Sequence, residues 1–183
     1  MKKLILGLIA LCVTLSVSAQ KYYTKDAKVS FDATSALEKI VGANPKGTLV
    51  IDGATGKIEA AVLIKGIHFD QALMEEHFNE NYMESTKFPK ATFTGDIPNY
   101  KTVNLEKDGN YDVKLKGKLT IHGVTKDVET KAILSVKNKM VTFGKANFTI
   151  AVADYGIKIP GIVKDKIAKE AKIEVSGYFT LLK

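Results

Sequence analysis

The chain has one cysteine, no arginine and no tryptophan in 183 residues. Each shortage closes off some chemistry. The cysteine, Cys12, sits inside an uncharged apolar run from Leu4 to Val17. Met1-Lys2-Lys3 precedes that run and Val17-Ser18-Ala19-Gln20 ends it, the charged start, apolar middle and small-residue cleavage site of an export signal. The run is shorter than the roughly 20 residues that cross a bilayer comfortably. Residues 1–19 therefore read as a removable signal rather than a retained anchor. Cys12 lies too deep in the run for a lipid-attachment site, and Leu11 stands where such a site needs a small residue. With the signal gone, residues 20–183 hold no thiol, so they offer no disulfide, no thiol nucleophile and no cysteine metal site. A core alone must hold the rest, and its length suffices for one domain.

All 27 basic residues are lysines. Loss of Lys2 and Lys3 lowers the formal charge from +7 to +5, and that surplus is spread along the chain. A spread of lysines reads as a solvated surface, with transient contact to an anionic membrane surface as the sharper reading. Without arginine, the usual bidentate reader of phosphate and guanine is missing, so no nucleic-acid partner is expected.

Catalytic patterns are equally scarce. The histidines His68, His77 and His122 form no His-x-x-x-His pair. Asp70, Glu75 and Glu80 fall on one expected helix, where carboxylates are ordinarily just solvated. No Gly-x-Ser-x-Gly elbow and no phosphate-cradling glycine loop occurs. No catalytic residue, metal ligand or cofactor is expected.

What the sequence does have is a period of two. Tyr111, Val113, Leu115, Gly117, Leu119 and Ile121 share one parity, against Asp112, Lys114, Lys116, Lys118 and Thr120 on the other. This is a strand with one apolar and one wet face. A turn at Gly123 leads to Val128, Thr130, Ala132, Leu134 and Val136, with Ile133 the exception on the polar face. Asn138-Lys139 marks another turn. Val141 and Phe143 then lie on one parity, and Ala146, Phe148 and Ile150 on the other, so a β-bulge is expected near Gly144. A last strand is expected over 172–182. Earlier, short strands are expected around Val29 and Phe31, over 48–52 before Asp52-Gly53, along Ile58, Ala60, Val62 and Ile64, and along Ala91, Phe93, Gly95 and Ile97. About eight amphipathic antiparallel strands in one domain suit a closed all-β up-and-down barrel, with a two-sheet sandwich as the alternative. One segment is helical instead: Phe69, Leu73, Met74, Phe78 and Tyr82 recur at helix spacing, predicting a helix over about 70–84 with Asp70 as its N-cap. A short helix is expected near 161–169.

Three segments stand out: Glu75-Glu76-His77-Phe78-Asn79 through Phe88-Pro89-Lys90-Ala91-Thr92-Phe93-Thr94-Gly95; Gly117-Lys118-Leu119-Thr120-Ile121-His122-Gly123-Val124-Thr125-Lys126-Asp127-Val128; and Phe148-Thr149-Ile150 through Asp154-Tyr155-Gly156-Ile157. Together they resemble the YceI-like family. They occur in the family's order, and matching features run from about residue 25 to the end. The resemblance implies one lipocalin-like barrel over 20–183, exported to the periplasm (or secreted), with a lipid ligand in its lumen. That ligand would be a polyisoprenoid, an isoprenoid quinone or a fatty-acid-like amphiphile, and no catalysis is implied. The chain departs from the family in lacking a tryptophan before the first strand and an arginine near Ala151-Val152-Ala153.

The residues expected to line the lumen are Phe31, Ile58, Val62, Phe78, Phe93, Leu119, Ile121, Leu134, Phe148 and Ile150. Tyr82 and Tyr155 are expected at a polar head, since tyrosine joins an apolar ring to a hydroxyl. Small inward residues (Ala60, Gly95, Gly117, Ala132, Ala146, Gly177) either leave room for a ligand or fit the barrel's taper. A filled barrel serving as an interaction surface is the competing expectation. The protein would act as a monomer or homodimer.

Overall fold

The computed structural model describes residues 20–182. The expected signal over 1–19 lies outside the described residues. Eight strands follow in order: β1 (Lys21–Thr34), β2 (Val41–Asp52), β3 (Lys57–Leu63), β4 (Lys90–Asp96), β5 (Gly109–Ile121), β6 (Val124–Lys137), β7 (Met140–Ala151) and β8 (Ile167–Tyr178). Each pairs antiparallel with the next, and β1 also pairs with β8. The sheet is therefore a closed up-and-down barrel, not a sandwich. A two-residue strand, β9 (Thr180–Leu181), carries the path of β8 onward beyond Phe179 and pairs with Tyr22 and Tyr23 of β1.

The β5–β6 hairpin follows the period-two pattern without interruption, from Gly109↔Val136 to Ile121↔Val124. Its turn, His122-Gly123, has φ of 50° and 76°, and Asn138-Lys139 repeats this at 52° and 62°. Such left-handed pairs match the twist of the flanking strands. Ile133 is 42% exposed, as its parity requires.

Elsewhere the structure departs from the simple pattern. Strands β1 and β2 are far longer than the short pieces around Val29 and over 48–52. Paired bulges hide them. Their register shifts between Thr24 and Ala27 and again between Ala27 and Val29, opposite Pro45-Lys46. Each extra residue flips the parity, so Gly42 and Asn44 face inward before Pro45, and Gly47, Leu49 and Ile51 after it. Pro45 fits because the bulge demands no ladder hydrogen bond there. Asn44 is buried and holds the site together: its Oδ1 accepts the Lys46 N–H at 2.8 Å and its Nδ2 donates to the Leu63 carbonyl at 2.9 Å.

The bulge expected near Gly144 is present, with Thr142 as the extra residue. The last strand starts at Ile167 rather than 172, because Lys169 and Glu170 break its apolar alternation. The helix expected near 161–169 is only a 3₁₀ turn, Gly161–Val163. The helix predicted over 70–84 is α1 (Ala72–His77), running on as a π-helical turn over Phe78–Tyr82. Asp70 does not cap it. The N-cap is Gln71, without a side-chain hydrogen bond, and Glu75 reaches back instead to accept the Phe69 N–H at 3.1 Å and to meet His68 Nδ1 at 3.2 Å.

The two ends of the barrel differ. One end, carrying the β2–β3 and β4–β5 connections, is packed shut by Tyr22, Ile97, Tyr100, Val103 and Val141, all buried in one cluster. Burial pushes the Tyr100 hydroxyl up to about 12, helped by the nearby Tyr22 and Asp52. The unfolded chain ionises this phenol near 10 while the folded chain keeps it neutral, so the contribution is fully present below pH 10 and is lost as pH rises toward 12. We expect alkaline lability of about 2–3 kcal/mol from this group. Urea midpoints measured from pH 8 to 12 should fall, and Tyr100→Phe should flatten that fall. The Tyr100 hydroxyl has no protein partner among the described residues. At pH 7 the phenylalanine variant should therefore lie within about 1 kcal/mol of the parent.

Candidate functional site

The other end carries the 35–40 loop, the 64–89 crossing with α1, the His122-Gly123 turn and the 152–166 segment. A cavity of about 500 Å³ runs from that end into the barrel. This size suits a small-molecule pocket, and the filled-core alternative does not describe the interior. The walls come from the inward faces of the strands. Ile58, Val62, Phe93, Leu119, Ile121, Leu134, Phe148 and Ile150 all line it, and so does Phe31 of β1. From the helical crossing come Phe78 and Tyr82. Eleven of the twelve expected site residues thus share one cavity.

Tyr155 does not line it. That ring is 2% exposed, in the packed layer around Ile150 and Ile157, and burial raises its phenol above the ordinary range. The residue ends the 3₁₀ turn Val152–Tyr155, buried behind cavity-wall residues.

Five of the six small residues expected inward divide into two kinds, and the sixth, Gly177, packs against Thr24 and Ala27 of β1. Ala60, Ala132 and Ala146 line the cavity and leave room. Gly95 and Gly117 leave none: they face each other across β4 and β5, and Phe93 Cζ would stand 2.9 Å from a Cβ at either. The Phe93 ring thus lies over both glycines and links the upper and lower core.

At the helical end, Phe31, Phe69 and Phe78 form an aromatic trio. Phe31 and Phe78 stack at 5.1 Å, and Phe69 meets them at 5.6 Å and 5.0 Å. The charged pair and most of the larger polar side chains of the lining lie around the opening. Glu38 and Lys166 both line it and pair at 3.5 Å. His77 and Gln71 lie there too. Tyr82 stands beside Glu38; burial first, and then that carboxylate, raise its phenol above the usual range. Leu73 lines the cavity yet is 61% exposed, which marks it as part of the rim. Sequence reading placed Leu73 on the apolar helical face but missed Glu38 and Lys166. They lie in separate loops, and nothing local links them.

A latch holds the crossing to the barrel. His122 Nε2 meets Glu84 Oε2 at 2.9 Å and its Nδ1 meets the Tyr155 carbonyl at 3.1 Å. Phe88 packs against its ring at 4.5 Å. Glu84 and His122 both hold positive φ, 42° and 50°. His122→Asn keeps a residue tolerant of that backbone and removes the bridge to Glu84. We expect it to cost about 1–3 kcal/mol in thermal or urea unfolding.

Among the described residues no group of three or more His, Cys, Asp or Glu side chains is placed to hold a metal ion. No helix there is long and apolar enough to cross a membrane.

The YceI-like domain matches residues 21–179, nearly all of the barrel. The chain belongs to the YceI-like family. A UPF0312 protein of Shewanella oneidensis is 30% identical over 109 residues, 56% of this chain and 53% of that protein. The chain therefore spans about half the length of that relative. Among solved structures, a polyisoprenoid binding domain from Saccharophagus degradans, implicated in plant cell wall breakdown, superposes with a TM-score of 0.75. It covers 90% of this chain and 99% of its own at 12% identity. BcnA of Burkholderia cenocepacia gives 0.66 over 84% and 96% at 15% identity. These two likenesses establish the shared barrel. In this YceI-like chain the signature Gly117 to Val128 is the lower β5–β6 hairpin wall plus the latch histidine.

Proposed function

We propose that this YceI-like domain is an exported lipid carrier or reservoir that works in the periplasm and performs no catalysis. It takes the tail of a polyisoprenoid, an isoprenoid quinone or a fatty-acid-like lipid into the lumen and leaves the head at the rim. One observation carries the reading: a cavity of about 500 Å³ whose walls are predominantly apolar, with Glu38, His77, Tyr82 and Lys166 at its mouth. Each methylene moved from water into such walls contributes about 0.8 kcal/mol, so a long tail needs few polar contacts. Tyr82, His77 and the Glu38–Lys166 pair are the groups within reach of a head. The polyisoprenoid binding ascribed to the Saccharophagus degradans domain supports the ligand class. No resident cofactor belongs to this reading.

Native mass spectrometry of the purified protein, before and after organic extraction, should find a bound lipid. Titration of the extracted protein with a prenylated quinone or a fatty acid should show uptake. A protein that is empty as purified and takes up neither probe overturns the proposal.

A further inference from the structure

Eight large apolar side chains are prominently exposed among the described residues: Leu37, Val41, Leu63, Leu73, Ile133, Ile162, Tyr178 and Leu182. Five of them, Leu37, Val41, Leu63, Leu73 and Ile162, belong to the end of the barrel where the cavity opens. Two stand out. Ile162 is 93% exposed on the tip that follows Pro160, and Leu37 is 71% exposed in the β1–β2 loop. Both tips touch the cavity through their neighbours, for Val163 and Glu38 line it. The Glu38–Lys166 pair joins the two segments into one lip. An isoleucine held this far into water gives nothing to folding, and two such tips on one lip form a site of contact.

The tip that bears Ile162 is flanked by Lys158 and Lys164 with no acid between them. Lys39, Lys158, Lys164 and Lys169 are exposed around the two tips. Lys166 is committed to Glu38, and the further acids of this segment, Asp154, Asp165 and Glu170, all lie outside the 158–164 tip that carries Ile162. The helical crossing, which meets the lip where Phe78 stacks on Phe31 and Tyr82 stands beside Glu38, carries Asp70, Glu75, Glu76 and Glu80. The apolar tip at Ile162 is thus the lysine-flanked point of this end of the barrel.

We propose that the lip of Leu37 and Ile162 docks onto an anionic phospholipid surface. The two tips insert among the acyl chains near the headgroups, and Lys158 and Lys164 face the lipid phosphates. Apolar insertion plus lysine attraction is the combination that holds interfacial proteins to anionic bilayers. The cavity mouth then faces the bilayer. This docking is independent of whether the cavity is loaded.

Flotation of the purified protein with vesicles tests it. Vesicles of phosphatidylcholine with about one-third phosphatidylglycerol should carry the protein at low salt and release it as ionic strength shields the lysines. Vesicles of phosphatidylcholine alone should carry much less. Leu37→Asp and Ile162→Asp should each weaken binding about tenfold, the loss expected when a large aliphatic side chain no longer leaves water. Both positions are exposed, so circular dichroism and unfolding should match the parent. Lys158→Glu/Lys164→Glu should weaken binding and flatten the salt dependence. Equal flotation of parent and Leu37→Asp/Ile162→Asp overturns the proposal, as does absence of binding to the anionic vesicles. Uptake of a soluble lipid probe, measured without vesicles, should be unchanged in these variants. Failure of docking and failure of lumen binding are thus read separately.

Discussion

Gly117→Val is expected to lower the unfolding free energy of the barrel by more than about 3 kcal/mol, at the upper end of overpacking losses. A Cβ at Gly117 would stand 2.4 Å from the Thr94 carbonyl oxygen and 2.6 Å from the Gly95 Cα. At Gly95 the corresponding obstacles are the Lys116 carbonyl oxygen at 2.3 Å and the Gly117 Cα at 2.8 Å. These are backbone atoms of a neighbouring stave, so no rotamer change relieves them. The strands would have to part, breaking the β4–β5 ladder beside the cavity. Removing the ring over the glycines should not help, so Phe93→Ala/Gly117→Val should stay unstable. Urea unfolding checks both variants. A Gly117→Val protein within about 1 kcal/mol of the parent would mean that the two staves do not approach this closely.

Ala146→Phe is expected to act in the opposite way, removing binding while leaving the fold. Ala146 lies directly across from Ala132, and both are buried cavity-wall residues. A phenyl ring there enters existing space instead of displacing packed atoms. Exclusion of about four methylenes at ~0.8 kcal/mol each costs the ligand roughly 3 kcal/mol, or about two orders of magnitude in affinity. The unfolding midpoint should hold or rise. Isothermal titration of the extracted variant with a prenylated quinone, beside its urea curve, reads both quantities. Unchanged affinity would move the binding site elsewhere, and a collapsed fold would mean that the space near Ala146 is already filled.

The contrast between these variants shows where sequence patterning stops. Alternation told which residues of β5 and β6 face inward, because no bulge interrupts them from Gly109 to Lys137. It failed along β1 and β2, where bulges beside Asp26 and Pro45 flip the parity in mid-strand. The same alternation could say that Gly95, Gly117, Ala132 and Ala146 point inward. It could not say which of them holds space open, since that depends on stave separation and on where the Phe93 ring lies. Tyr155 was illegible for a related reason: it ends a 3₁₀ turn, which a period of two cannot read, and its ring is buried rather than in the cavity lining. The Glu38–Lys166 pair joins loops far apart in sequence, which only the closure of β8 onto β1 brings together.

The barrel is packed shut at the Tyr22–Tyr100 end and open at the Leu73 end. A blind tube of this kind makes loading and unloading the same path run in reverse. A tail that went in first must come out last, and every buried methylene must return to water or lipid before release. If each adds about 0.8 kcal/mol to the climb, residence time grows roughly fourfold per methylene. For the lipid cargo proposed above, the depth of the closed end would work as a clock: it would set how long a tail of given length stays aboard, while a head group left outside the tube would scarcely affect the timing.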